Sequence, residues 1–126
     1  MPITRQTSKS KSLTTLTASG EITLAEIFQV VHSFKNKPPA KNILWDFCEA
    51  YLADSFSATD MESIASLAKS NLSSRTDGKT AFIANDDFLF GLTRMYMTYL
   101  EFQDITHEIQ VFRTLNEAYQ WLGEDD

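Results

Sequence analysis

Between Lys79 and Phe102 the sequence KTAFIANDDFLFGLTRMYMTYLEF passes from a short apolar run, through a polar turn, into the longest apolar helical pattern in the chain. Thr80 to Ala84 is apolar at successive positions, which suits an inner strand covered on both faces. Asn85, Asp86 and Asp87 supply side-chain oxygens for the unpaired N–H groups of a helix start. From Phe88 the spacing predicts a helix with Phe88, Leu92, Met95 and Tyr99 on its inward stripe, widened by Leu89, Tyr96 and Leu100. A buried strand feeding a helix of this kind is the unit of an α/β sheet.

The same unit recurs. Asn42 to Phe47 (NILWDF) reads as a further inner strand and Glu108 to Arg113 as the last strand, with Ile43, Trp45, Phe82 and Val111 expected to be largely buried. A loop is expected from Cys48 to Phe56, then a helix from Ala58 to Asn71 with Met61, Ile64, Ala65, Ala68 and Leu72 inward. The spacing Ser57-x-x-Asp60 fits a capping box there, with Phe56 and Met61 placed as a hydrophobic staple. Ser73 to Lys79 is a polar turn. Thr23-x-x-Glu26 caps a first helix whose inward residues are Leu24, Ile27, Val31 and Phe34, and Pro38-Pro39 stops it. Thr114-x-x-Glu117 caps the last helix, which buries Ala118, Trp121 and Leu122. Pro2–Ser8 and Leu13–Ser19 flank the polar segment KSKS and predict a hairpin, with Gly20 ending its second strand. The order is β-β-α-β-α-β-α-β-α without an internal repeat. It calls for a mixed, mostly parallel sheet with successive βα units and an N-terminal hairpin.

With 126 residues, 43% of them hydrophobic, the chain is expected to form one domain, residues 1–126, with an ample core. Its formal charge of −6 opposes a general affinity for nucleic acid. The charge is unevenly spread: residues 1–41 hold six Lys/Arg against two acids, and residues 42–126 hold five against fifteen. The lysines near the first strands read as guards against edge-to-edge pairing, or as a docking surface for an anionic partner. Cys48 is the one cysteine, which rules out an internal disulfide or a multi-cysteine metal site. No apolar run reaches membrane-spanning length, and the N-terminal segment lacks the apolar core of a secretion signal, so a cytoplasmic location is expected.

Chemistry is sparse. The sequence has no GxGxxG, P-loop, GxSxG or HExxH pattern, and no cofactor is expected. His32 and His107 stand without a local nucleophile or metal-ligand partner. Asp86-Asp87 reads as carboxylates drawn to a helix start rather than a metal pair. Asp46 is expected near the C-terminal end of its strand, where open α/β sheets place ligands, or else to cap a turn or pair with a neighbouring backbone N–H. Gly91 inside a helix costs roughly 1 kcal/mol relative to alanine and suggests a close approach by another element. Phe90 and Met97, with Arg94 between them, fall on the helix side away from its main stripe. That placement suggests a homodimer contact through the central helix, a partner surface, or a second layer over the helix.

GEIT leading into a helix, NILWDF, KTAFIANDDFLFGLTRMY and EIQVFRTLNEAYQWLG together resemble the SpoIIAA-like proteins of the STAS superfamily. The resemblance spans the chain from about Leu13 onward. It implies a compact mixed sheet with its βα units wound in one direction, a bacterial cytoplasmic regulatory protein without catalysis, and an as yet unnamed protein partner. Anti-sigma-factor antagonists of that superfamily carry a phosphorylatable serine in Asp-Ser-Ser/Thr-Gly at a helix start directly after a strand. The nearest match is Asp54-Ser55-Phe56-Ser57, with Phe56 in place of a hydroxyl and Ser57 in place of glycine. Ser57 and Ser55 are therefore the candidate phospho-acceptors. A further resemblance of the family to Sec14-type lipid-binding domains implies a rival: a carrier of an apolar small molecule held near Phe88, Met95 and Tyr99. An uncharacterised enzyme is the third alternative.

Overall fold

The computed structural model describes residues 3–52, 57–72, 78–102 and 108–123. They form β1 (Ile3–Ser8), β2 (Leu13–Ile22), α1 (Leu24–Ser33), β3 (Asn42–Leu52), α2 (Ala58–Leu72), β4 (Lys79–Ile83), α3 (Asp87–Phe102), β5 (Glu108–Phe112) and α4 (Leu115–Leu122). The strands lie in sequence order across one five-stranded sheet. β1 is antiparallel to β2, and each later neighbour is parallel. The mixed, mostly parallel sheet with successive βα units and an N-terminal hairpin is thus the observed architecture.

Successive crossovers of one hand that always advance the same way must keep their helices on one face of the sheet. α1, α2 and α3 accordingly share one core with the sheet, through Ile27 and Val31, Met61, Ile64, Ala65 and Ala68, and Leu89 and Leu92. α4 follows the last strand and folds over the opposite face, where Ala118 and Leu122 meet Leu44, Ala81 and Ile83. The period of two along the strands feeds both cores. In β4, Phe82 turns to the three-helix face while Ala81 and Ile83 turn to α4. Trp45 is the centre of the larger core. It stacks on Phe47 (5.9 Å) and Phe82 (6.1 Å) and meets Phe34 edge-on (6.4 Å), and Phe82 in turn meets Tyr96 edge-on.

The helix starts follow their side-chain chemistry. Thr23 and Glu26 form the reciprocal capping box, with the Glu26 carboxylate accepting from Thr23 N at 2.8 Å. The Thr114 hydroxyl accepts from Glu117 N, and Gly123 closes α4 at φ +81, a left-handed conformation that glycine adopts without a Cβ penalty.

Five expectations are corrected. β2 does not end at Gly20: that residue takes φ +72 within the strand, which continues to Ile22. β3 does not end at Phe47 but runs to Leu52, so the segment expected to begin a loop is extended. On α3, Leu89 and Leu92 are buried and Met95, Tyr96 and Tyr99 pack against the core as expected, but Phe88 is 53% exposed and Thr93 is buried instead. The Thr93 hydroxyl donates to the Leu89 carbonyl at 2.9 Å, which satisfies it inside the helix and permits burial. No close approach explains Gly91: a Cβ there would meet nothing within 4 Å. Val111, on the three-helix face, and Trp121, on the α4 face, are only half-buried because β5 is an edge strand.

Candidate functional site

β3 changes character at Asp46. Up to that residue it pairs on both sides, with β2 as far as Thr17–Asp46 and with β4 as far as Asp46–Ile83. Beyond it the β4 ladder has ended. The β2 ladder resumes at Ser19–Glu49, so Phe47 and Cys48 stand opposite the single residue Ala18. This is a β-bulge. Its effect is visible in burial: Ile43, Trp45 and Phe47 face the three-helix core, and after the extra residue Ala50 and Leu52 do so instead. Glu49 and Tyr51 are thereby turned outward, and Tyr51 is 56% exposed.

Asp46 therefore sits mid-strand at the bulge, not at a strand end as expected. Its carboxylate accepts from Cys48 N at 3.0 Å, meeting the backbone donor nearest the disrupted ladder. The Asn85 amide donates to the Cys48 carbonyl at 3.4 Å. The Cys48 thiol is half-buried and is pushed up to about 11, first by burial, then by its hydrogen bond to Asp46 and the charges of Asp46 and Glu49. A thiol so protonated at neutral pH is a poor nucleophile.

The starts of α2, α3 and α4 share this end of the sheet. Ser57 caps α2: its N–H and hydroxyl both donate to the Asp60 carboxylate (2.9 and 3.2 Å), and its Oγ accepts from Asp60 N at 3.4 Å. Ser55, with Asp54 and the staple residue Phe56, lies outside the described residues. Asp86 caps α3 through Phe88 N at 3.0 Å. The three large hydrophobic side chains exposed among the described residues are Tyr51, Phe88 and Leu115, and each belongs to an element at this end.

The structure does not gather the sequence candidates into one site. Asp46 belongs to the bulge, Ser57 to the start of α2, and Phe90, Arg94 and Met97 to the body of α3. Phe90 is half-buried against the core, and the Arg113 guanidinium lies 4.0 Å from its ring centroid. Arg113 also pairs with Asp87 at 2.8 Å. Arg113 thus covers the Phe90 ring from within the chain. Met97 is half-buried and Arg94 is exposed. Tyr51 was missed because it lies in the segment expected to be a loop, and Phe88 because it was assigned to the core.

An apolar cavity of about 50 Å³ lies among Trp45, Phe47, Leu52, Phe82, Leu92 and Tyr96. Small-molecule sites usually offer roughly 300–1,000 Å³. Met95 and Tyr99, expected beside an apolar ligand, do not line it. Burial raises the Tyr96 phenol above its ordinary range. Among the described residues no three His, Cys, Asp or Glu side chains group as a metal site would need, and no helix is long and apolar enough to cross a membrane.

No protein-family model matches the chain, and no curated protein does. Solved structures do match. An uncharacterised DUF3478-family protein with a SpoIIAA-like fold, from Shewanella loihica PV-4, superposes with TM-score 0.56 at 17% identity, covering 95% of this chain and 91% of that one. The anti-sigma factor antagonist SpoIIAA in its unphosphorylated form gives 0.53 at 11% identity, covering 98% and 99%. The Bacillus cell fate determinant SpoIIAA in its phosphorylated form gives 0.53 at 11% identity, covering 94% and 97%. The chain has the SpoIIAA-like fold. At these identities the likeness concerns the backbone architecture, and the SpoIIAA-like fold by itself assigns no activity.

Proposed function

We propose that this chain is a non-enzymatic regulatory module of the bacterial cytoplasm that acts by binding another protein. The partner face is the end of the sheet where β3 outruns β4. One observation carries the reading: the exposed aromatic residues Tyr51 and Phe88 stand at the same end of the sheet as the capped start of α2. Aromatic side chains offer a large contact area at small conformational cost, and interfaces favour them. The likeness to SpoIIAA, an anti-sigma factor antagonist, supports the class of function. Ser57 serves here as a helix cap, since Asp60 engages both its N–H and its hydroxyl.

The test is a Tyr51→Ala/Phe88→Ala double variant used as bait beside the wild type in native-cell extract. Both side chains are exposed, so the variant folds, and it loses the proteins the wild type retains. Retention of the same proteins at the same yield contradicts this placement of the face.

A further inference from the structure

We propose that β1 is the seam of a two-fold dimer, its free edge pairing antiparallel with the β1 of a second copy of this chain. Among the described residues β1 lies at the border of the sheet and pairs with β2 alone, so six residues carry one row of outward backbone donors and acceptors. Such an edge is a template for another strand unless something blunts it. The usual devices are missing from Ile3–Ser8. The strand holds no proline, its register with β2 is unbroken from Ile3–Ala18 to Ser8–Leu13, and Lys9 and Lys11 fall in the turn beyond it. Arg5 is its one charged residue. That side chain is folded inward, its guanidinium 5.5 Å from the Phe34 ring centroid and donating to the Pro38 carbonyl at 3.1 Å.

Beside this edge an open groove of about 470 Å³ runs between β1 and α1, with Ile3, Leu16 and the half-buried Val30 among its apolar lining. A strand added to β1 would bring its own flanking helix over that groove. Charge selects a second copy as the occupant. β1 descends from the end of the sheet that holds Glu21 and Glu26 to the end that holds Lys9, Lys11, Lys35 and Lys37, all four lysines exposed. A two-fold axis through the middle of β1 sets the basic end of each copy beside the acidic end of the other. The contact is self-complementary and closed, so it ends at two copies rather than growing into a fibre. It joins two five-stranded sheets into one, with the two α1 helices antiparallel across the seam. The two surfaces adjoin at Glu21, the cross-strand neighbour of Tyr51, so the Tyr51→Ala/Phe88→Ala variant is sedimented as well: it keeps the dimer whatever becomes of partner binding, and its loss of the dimer would overturn the β1 seam.

Sedimentation equilibrium tests it across a wide range of protein concentration. The wild type is expected at twice the 14.3 kDa chain mass. Val30→Glu, which places a charge in the groove, gives a monomer that keeps its circular dichroism. Lys35→Glu/Lys37→Glu, at exposed positions, weakens the dimer about tenfold. Adding Glu21→Lys to that same chain recovers most of the loss, because each copy then presents the swapped pair. A monomeric wild type overturns the proposal. So does a dimer indifferent to these changes but abolished by Phe90→Glu/Met97→Glu, or a β1 edge that binds an acidic peptide without self-association.

Discussion

The two halves of β3 are both extended and stand in opposite circumstances. Ile43 to Asp46 is paired on both sides, and Ile43, Leu44 and Trp45 are buried. Glu49 to Leu52 is paired on one side and shows alternate residues to solvent. A strand fixed on both sides has spent its hydrogen-bonding capacity on the fold. A strand that outruns its neighbour keeps backbone and side chains available for another molecule, and the bulge at Phe47–Cys48 decides which side chains those are. In this chain the rigid half supplies the core and the projecting half supplies the candidate surface.

Breaking the buried half has the largest expected effect. Trp45→Ala removes the ring that stacks on Phe47 and Phe82, and it costs about 3–5 kcal/mol in denaturant unfolding. Tyr51→Ala, six residues on in the same strand, changes stability by less than about 0.5 kcal/mol. Similar losses at the two positions would erase the distinction. Next comes the helix start beyond the projecting end. Ser57→Ala removes the acceptor for Asp60 N and costs about 1 kcal/mol, while Ser57→Asp caps nearly as well and costs little. Intact-mass measurement of the native protein sharpens this: a stoichiometric phosphate on Ser57 would replace the cap reading with a switch.

The smallest effect lies at the bulge itself. Alkylation of Cys48 is slow at neutral pH and accelerates as pH rises toward about 11. The raised value also links to stability with a definite sign. Below the ordinary thiol range both folded and unfolded chains hold the proton, and the group has no effect. Between that range and about 11 the unfolded chain releases it first, so stability falls as pH rises. Asp46→Asn shifts the alkylation profile slightly downward, because burial, the larger cause, remains.

The fold was legible in the sequence because its signals are local. Thr23–Glu26, Ser57–Asp60 and Thr114–Glu117 each place a helix start within a few residues, and NILWDF and TAFIA mark inner strands by composition. The candidate surface was not legible, because it depends on distant pairing. Glu49 to Leu52 has no strand pattern of its own; it is extended because Ser19 to Ile22 runs beside it, and its facing is set by one inserted residue. Phe88 was misplaced for a related reason. Its spacing fits a buried stripe as well as Leu89 does, and only the internal hydrogen bond of Thr93 makes the other phase affordable. The covering of Phe90 by Arg113 joins α3 to the end of β5, across a span that no periodicity reads.

Residue-resolved amide hydrogen exchange along β3 tests the central contrast most directly. The account predicts that the slowest amides between Ile43 and Asp46 exchange only through global unfolding, while those from Glu49 to Leu52 on the side away from β2 exchange through local opening, by orders of magnitude faster. Equal protection along the whole strand would contradict it.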